Sequence, residues 1–264
     1  MKQNKYFSLK RFSRLLRNDL FINQKTYLFT LAGLCIAIYA ISYFLMRVNN
    51  GFQRTNEYLS LFMFYLMGIG VVIGTSFPAL SNQIKTSNYL LSPGSTLEKY
   101  LVQFVIRIVL FVPLALIIFW IGTHLAKATL IPDMERRFDP SKIADFHFKD
   151  LFQYIHGFLD QIIVVLSIFS TASVLFAGSV YFKRFALIKT LIVSGATVFL
   201  VVCSFVLFSH ILFPSSTHGF DVRLPIFKMF DGVDNVEFAA FLLGGLSWIF
   251  FLPLAYFKLK EKEV

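Results

Sequence analysis

The chain has 264 residues, 56% of them hydrophobic and only 15% charged, with a mean hydropathy of +0.67. Soluble domains of ordinary make-up carry about 25% charged residues, and 33 Phe are more than a water-facing surface can hide, so the excess apolar area must meet lipid. The formal charge of +10 does not point to nucleic acid, because the basic residues cluster between apolar runs instead of forming one soluble basic face.

The first element in chain order is basic and amphipathic. Between Ser8 and Tyr27, Leu9, Phe12, Leu15, Leu16 and Leu20 recur at helical spacing, while Lys10, Arg11, Arg14 and Arg17 fill the other side. That pattern predicts a helix lying in the headgroup layer. Apolar runs follow at 28–46, 59–79, 102–123, 161–181, 190–212 and 238–257. At about 1.5 Å of rise per residue, some 20 residues match a hydrocarbon core about 30 Å thick. None of the six runs holds Asp or Glu, and Arg107 is their single Lys or Arg. Helices of a soluble core would show a polar stripe, and these do not. The expectation is one all-α membrane domain, 1–264, with six transmembrane helices. The first run is not read as a cleaved signal, because its basic lead is long and no small-residue cleavage site follows.

The connector between the second and third runs is the most specific stretch. Ser95 with Glu98 three residues on predicts a capping box opening the third helix, and Pro93-Gly94 breaks the chain before it. Upstream, Ile84, Tyr89, Leu90 and Leu91 stand among polar residues that include Lys85, as in a short helix along the membrane surface. A plain connector would be shorter, so this one reads as a docking surface. Within the third run, Arg107 is read as reaching back to the interface, with a gating role as the other reading. Pro113 and Pro253 mark candidate kinks. Between 127 and 159, Ile143, Leu151, Phe152, Ile155, Phe158 and Leu159 offer a second apolar face in a long loop.

Orientation follows from charge. The segments 1–27, 80–101, 182–189 and 258–264 hold fifteen of the 25 Lys and Arg, against Asp19, Glu98, Glu261 and Glu263. The positive-inside rule therefore puts them, with both termini, in the cytoplasm.

Chemistry-bearing patterns are sparse. No G-x-x-x-x-G-K-[ST] phosphate cradle exists, and Gly68, Gly70 and Gly74 read as close-approach positions between helices. His124, His147, His156, His210 and His218 all map to the outer side without a ligand spacing, so no metal or other cofactor is expected. Cys35 and Cys203 fall inside apolar runs and read as small hydrophobic residues. No catalytic residue is assigned.

The layout of a basic amphipathic helix, six spans and a cytoplasmic helix before the third span resembles the permease subunit of bacterial type-2 ATP-binding-cassette transporters. The string Leu91-Ser92-Pro93-Gly94-Ser95-Thr96-Leu97-Glu98-Lys99-Tyr100 is similar to a "PxSxxEK"-like loop of that family. The resemblance implies that 81–91, with Ile84, Lys85, Tyr89, Leu90 and Leu91, is the coupling helix that docks on a separate ATPase. Residues 8–27 would be the elbow, with Phe12, Arg14, Leu16 and Arg17 at its interface. It further implies a bacterial cytoplasmic membrane location, membrane lipid as a partner, and a homo- or heterodimer with a second permease chain, an unidentified substrate being exported between the two permeases. ATP hydrolysis would belong to the partner ATPase, so the chain itself is not expected to be an enzyme. A membrane scaffold or assembly protein that transports nothing is the alternative.

Overall fold

A computed structural model describes residues 7–48, 55–81, 86, 87, 89, 91, 93–136, 158–182, 185–212 and 245–262. Among them every regular element is helical. In chain order these are α1 (Leu9–Ile22), α2 (Gln24–Val48), α3 (Thr55–Gly74), a 3₁₀ turn (Pro78–Ser81) and α4 (Thr96–Phe104). A π turn (Val105–Leu110) then joins α4 to α5 (Phe111–Glu135), and α6 (Phe158–Tyr181), α7 (Ala186–Leu212) and α8 (Trp248–Glu261) follow.

Five helical stretches are long and apolar enough to cross a bilayer: Gln24–Val48, Glu57–Gly74, Thr96–Pro132, Gln161–Tyr181 and Ala186–Ser204. They correspond to the first five predicted runs. Of the sixth, 238–257, the part from residue 245 is described, and α8 carries it on to Glu261.

Three differences from the sequence reading bear on how the bundle is built. The amphipathic segment is shorter, since α1 stops at Ile22 and α2 starts at Gln24, leaving Asn23 as a one-residue joint whose N–H donates to Asp19 O at 3.0 Å. α3 ends at Gly74, where Ser76 N–H returns to Ile73 O and Pro78 forbids continuation. Most importantly, the third helix does not end near 123. It runs on to Glu135, because Ala126 and Leu130 remain buried and Tyr39 Oη on α2 stays within 3.4 Å of Thr129 Oγ1. Residues 137–157, which carry most of the proposed second apolar face, lie outside the described residues.

Close helix approach organises the bundle. A Cβ on Gly122 of α5 would overlap Ile38 Cγ2 of α2, and one on Gly178 of α6 would overlap Thr190 of α7. Small residues here do what apolar collapse does in water, since lipid is as apolar as Leu. Two aromatic groups fill the interior. Phe119 of α5 lies against Tyr58, Phe62 and Tyr65 of α3 at centroid distances of 5.7, 5.1 and 5.2 Å, with Tyr65 Oη–H donating to Ala115 O at 2.7 Å. Phe176 of α6 lies against Phe77, Tyr100 and Phe104 at 5.3, 5.6 and 6.3 Å. Beyond Thr190, the described side chains of α7 are nearly all exposed, as an apolar helix facing lipid would be.

Candidate functional site

One end of the bundle collects the starts of α1, α4 and α7 and the ends of α3, α6 and α8. Contacts across it establish the grouping: Phe77 on Phe176, a Gly74 that has no room for a Cβ beside Leu187, and Tyr100 on Tyr256 at 5.8 Å. Tyr100 also ties α4 to α8 directly, donating its hydroxyl to Leu252 O at 2.9 Å.

Glu98 is the centre of this end. Its residue is wholly buried, and a buried carboxylate needs donors. It has three. Ser8 N–H donates to Oε1 at 2.7 Å, Arg11 Nε–H donates to the same oxygen at 3.1 Å, and Ser95 N–H donates to Oε2 at 3.0 Å. In return Ser95 Oγ accepts from Glu98 N–H at 3.2 Å. The predicted capping box therefore forms, but its carboxylate does a second task. It also receives the first turn of α1 from nearly ninety residues away in sequence. Gly94 completes the joint: its φ of +155° suits a residue without a side chain, and a Cβ there would stand 2.7 Å from Leu15 Cδ1 of α1.

The far end of α1 is held separately. Asp19 accepts from Tyr27 Oη at 2.7 Å, Asn23 Nδ2 at 3.2 Å and Gln103 Nε2 at 3.3 Å. Ser8 to Asp19 covers about 16 Å of helix, whereas Glu98 to Gln103 covers about 7.5 Å. Helix α1 therefore crosses α4 obliquely. Its bundle side carries half-buried Phe12, Leu15 and Leu16, while Arg14 and Arg17 point outward and are exposed.

This corrects the sequence reading of Arg11, which was placed with the outward basic residues and instead turns in toward Glu98. The reading also missed Asp19. The signal was present in the spacing, because Arg11, Leu15 and Asp19 are four apart and share one face.

The connector before α4 is partly described. Tyr89 is half-buried with its ring edge-on to Phe77 at 6.4 Å and Lys99 Nζ 6.0 Å from its centroid, so it fastens the segment to the bundle. Thr86 Oγ1–H donates to Ala79 O at 3.1 Å. Leu91 is 83% exposed, an apolar side chain left outside at the charged end. Ile84, Lys85 and Leu90 lie outside the described residues.

At the end of α8, Lys258 pairs with Glu261 at 2.6 Å and lies 5.2 Å from the Tyr181 ring centroid of α6. The hydrogen bond and charge of Glu261 hold the Lys258 ammonium above its ordinary pKa range. Lys262 Nζ–H donates to Val180 O, capping α6. Arg107 lies in the π turn with its guanidinium carbon 5.2 Å from the Tyr27 ring centroid. Pro113 follows close after that turn, where it has no N–H to return to Val109. Among the described residues, no three His, Cys, Asp or Glu stand close enough to hold a metal ion, and His124 rests its ring on Trp120 at 4.6 Å. One buried carboxylate thus joins α1, the connector and the long helix that opens at Thr96.

No family model matches the chain, and neither a curated protein nor a solved structure matches it.

Proposed function

We propose that this chain is the membrane-spanning permease subunit of an ABC-type transporter, driven by a separate cytosolic ATPase. The observation that carries the reading is the Glu98 joint. A force applied to the connector at exposed Ser87 and Leu91 would pass through Ser95 and Glu98 into both α1 and the helix containing Arg107 and Pro113. Helices α4, α6 and α8 meet through Tyr100 at the same end, so they would move with it. In this reading α1 is the elbow, the residues around 81–91 form the coupling element, and the sixth span precedes and includes the start of α8. The end bearing Lys10, Arg14, Arg17, Lys189, Lys258 and Lys260 faces the cytosol, in keeping with the positive-inside rule.

The test is purification of the tagged chain from its native membrane, followed by assay of ATP hydrolysis in the eluate. A stable ATPase should accompany the full chain, and deletion of 81–91 should remove it while the chain still inserts. A complex unchanged by that deletion defeats the proposal.

A further inference from the structure

We infer that Arg107 is a binding site for the phosphate group of a phospholipid, seated in a cleft between α1, α2, α3 and the π turn.

The cleft measures about 170 Å³ and is lined by Leu20, Tyr27, Thr30, Leu31, Val72, Ile106, Arg107, Leu110, Phe111 and Leu114. Arg107 is the one charged residue in that lining. Its Nε is buried and has no hydrogen-bond partner among the described residues. Asp19, which shares Tyr27 as a neighbour with Arg107, already accepts from Tyr27, Asn23 and Gln103. Tyr27 offers Arg107 its ring face, which attracts a cation but accepts no N–H hydrogen bond in the guanidinium plane. Thr30 sends its hydroxyl proton back to Thr26 O at 2.8 Å. An intramembrane cation left in this condition is costly, and a planar guanidinium matches a phosphate with two parallel N–H bonds.

The shape of the mouth selects the source. Leu20, Leu110 and Leu114 border it and are 37%, 48% and 40% exposed, so the opening is apolar and faces the lipid side. Arg107 lies one helical turn past Gln103, which touches α1. A phosphate at the base of the headgroup layer reaches that depth with its acyl chains already beside Leu110 and Leu114. Free phosphate offers the same oxygens but would have to cross those leucines without any apolar part to bury.

Native mass spectrometry of the full chain, released from detergent after incubation with phosphatidylglycerol, reads the outcome. The wild type should retain one phospholipid per chain, and R107Q should lower that occupancy at least tenfold. L114W, which fills the mouth and leaves the arginine in place, should do the same, so that loss is not a consequence of misfolding at Arg107. Diacylglycerol with matched chains should not be retained. If excess inorganic phosphate displaces the lipid without itself being retained by the protein, the lipid source stands; if phosphate binds in its place, Arg107 is a phosphate site fed from solution. Equal phospholipid retention by R107Q, retention of diacylglycerol to the same extent, or no adduct on the wild type overturns the inference.

Discussion

Replacing Glu98 by Gln tests the joint that the functional reading depends on. The carboxylate takes three N–H donors on two oxygens while wholly buried. Glutamine keeps one oxygen and presents an NH₂ where the other was. If the amide oxygen stays with Ser8 and Arg11, the Ser95 N–H meets a donor; if it turns to Ser95, Ser8 and Arg11 lose their acceptor. Either way at least one of the three donors loses its acceptor on Glu98, at about 1–3 kcal/mol. The lost charge on the Arg11 pair adds about 1 kcal/mol or less, because the Arg11 side chain is 39% exposed and screened. The expected destabilisation is about 2–4 kcal/mol, against about 3–5 kcal/mol for E98A, which removes the acceptor from all three donors at once. Reversible unfolding in mixed micelles by titration with a denaturing detergent measures it, and a cycle with R11Q isolates the pair. Arg11 acts through Glu98, so the double variant should cost little more than E98Q alone. A loss under about 0.5 kcal/mol for E98Q, or strictly additive costs, refutes the joint.

Further predictions bear on separate links of the argument. G178A should destabilise by about 1–3 kcal/mol because the new methyl overlaps Thr190, and T190A in the same chain should recover part of that loss in the same unfolding assay. F176A removes a ring with no exposed surface from among Phe77, Tyr100 and Phe104, and should cost about 2–4 kcal/mol; the loss is in contacts more than in transfer, since the surrounding solvent is lipid. S95A deletes the cap oxygen and should cost about 1 kcal/mol, read by the same titration. L91E should leave stability within about 0.5 kcal/mol, because the side chain is already outside, yet should strip the ATPase from the purified complex.

The spans were legible because lipid imposes a length and forbids charge, and both survive in a single sequence as the runs around Cys35, Gly70, Arg107, Ala172 and Ser194. The Ser95–Glu98 box was legible because both partners lie three residues apart. What was hidden has a common cause. In water a helix announces its inner face by an apolar stripe, but in a membrane both faces are apolar, so nothing marked Phe119 as interior or Leu114 as lining a cleft. The partnership of Arg11 with Glu98 joins residues 87 apart, beyond any local periodicity, and basic residues in α1 look alike until one finds a carboxylate. The extension of α5 past Thr123 was missed for a different reason. Lys127, Pro132 and Asp133 read as loop residues, yet burial of Ala126 and Leu130 against α2 outweighs them.

The π turn at Val105–Leu110 has a consequence for which sides of one long helix meet which neighbours. Each residue of an α-helix advances by about 100°, so the nineteen steps from Tyr100 to Phe119 would leave these rings about 100° apart. A wide turn, closed by Phe111 N–H on Ile106 O, absorbs roughly one residue and winds the distal half back by about that amount. The two aromatic clusters thereby fall along a single azimuth, one gripping α6 and α8, the other gripping α3. Removing one residue from 105–110 would let a regular α-helix join the two halves in the same phase, whereas straightening the turn with every residue kept would rotate the outer half by about 100°, aiming Phe119 away from Tyr58, Phe62 and Tyr65 while Tyr100 stayed where it is.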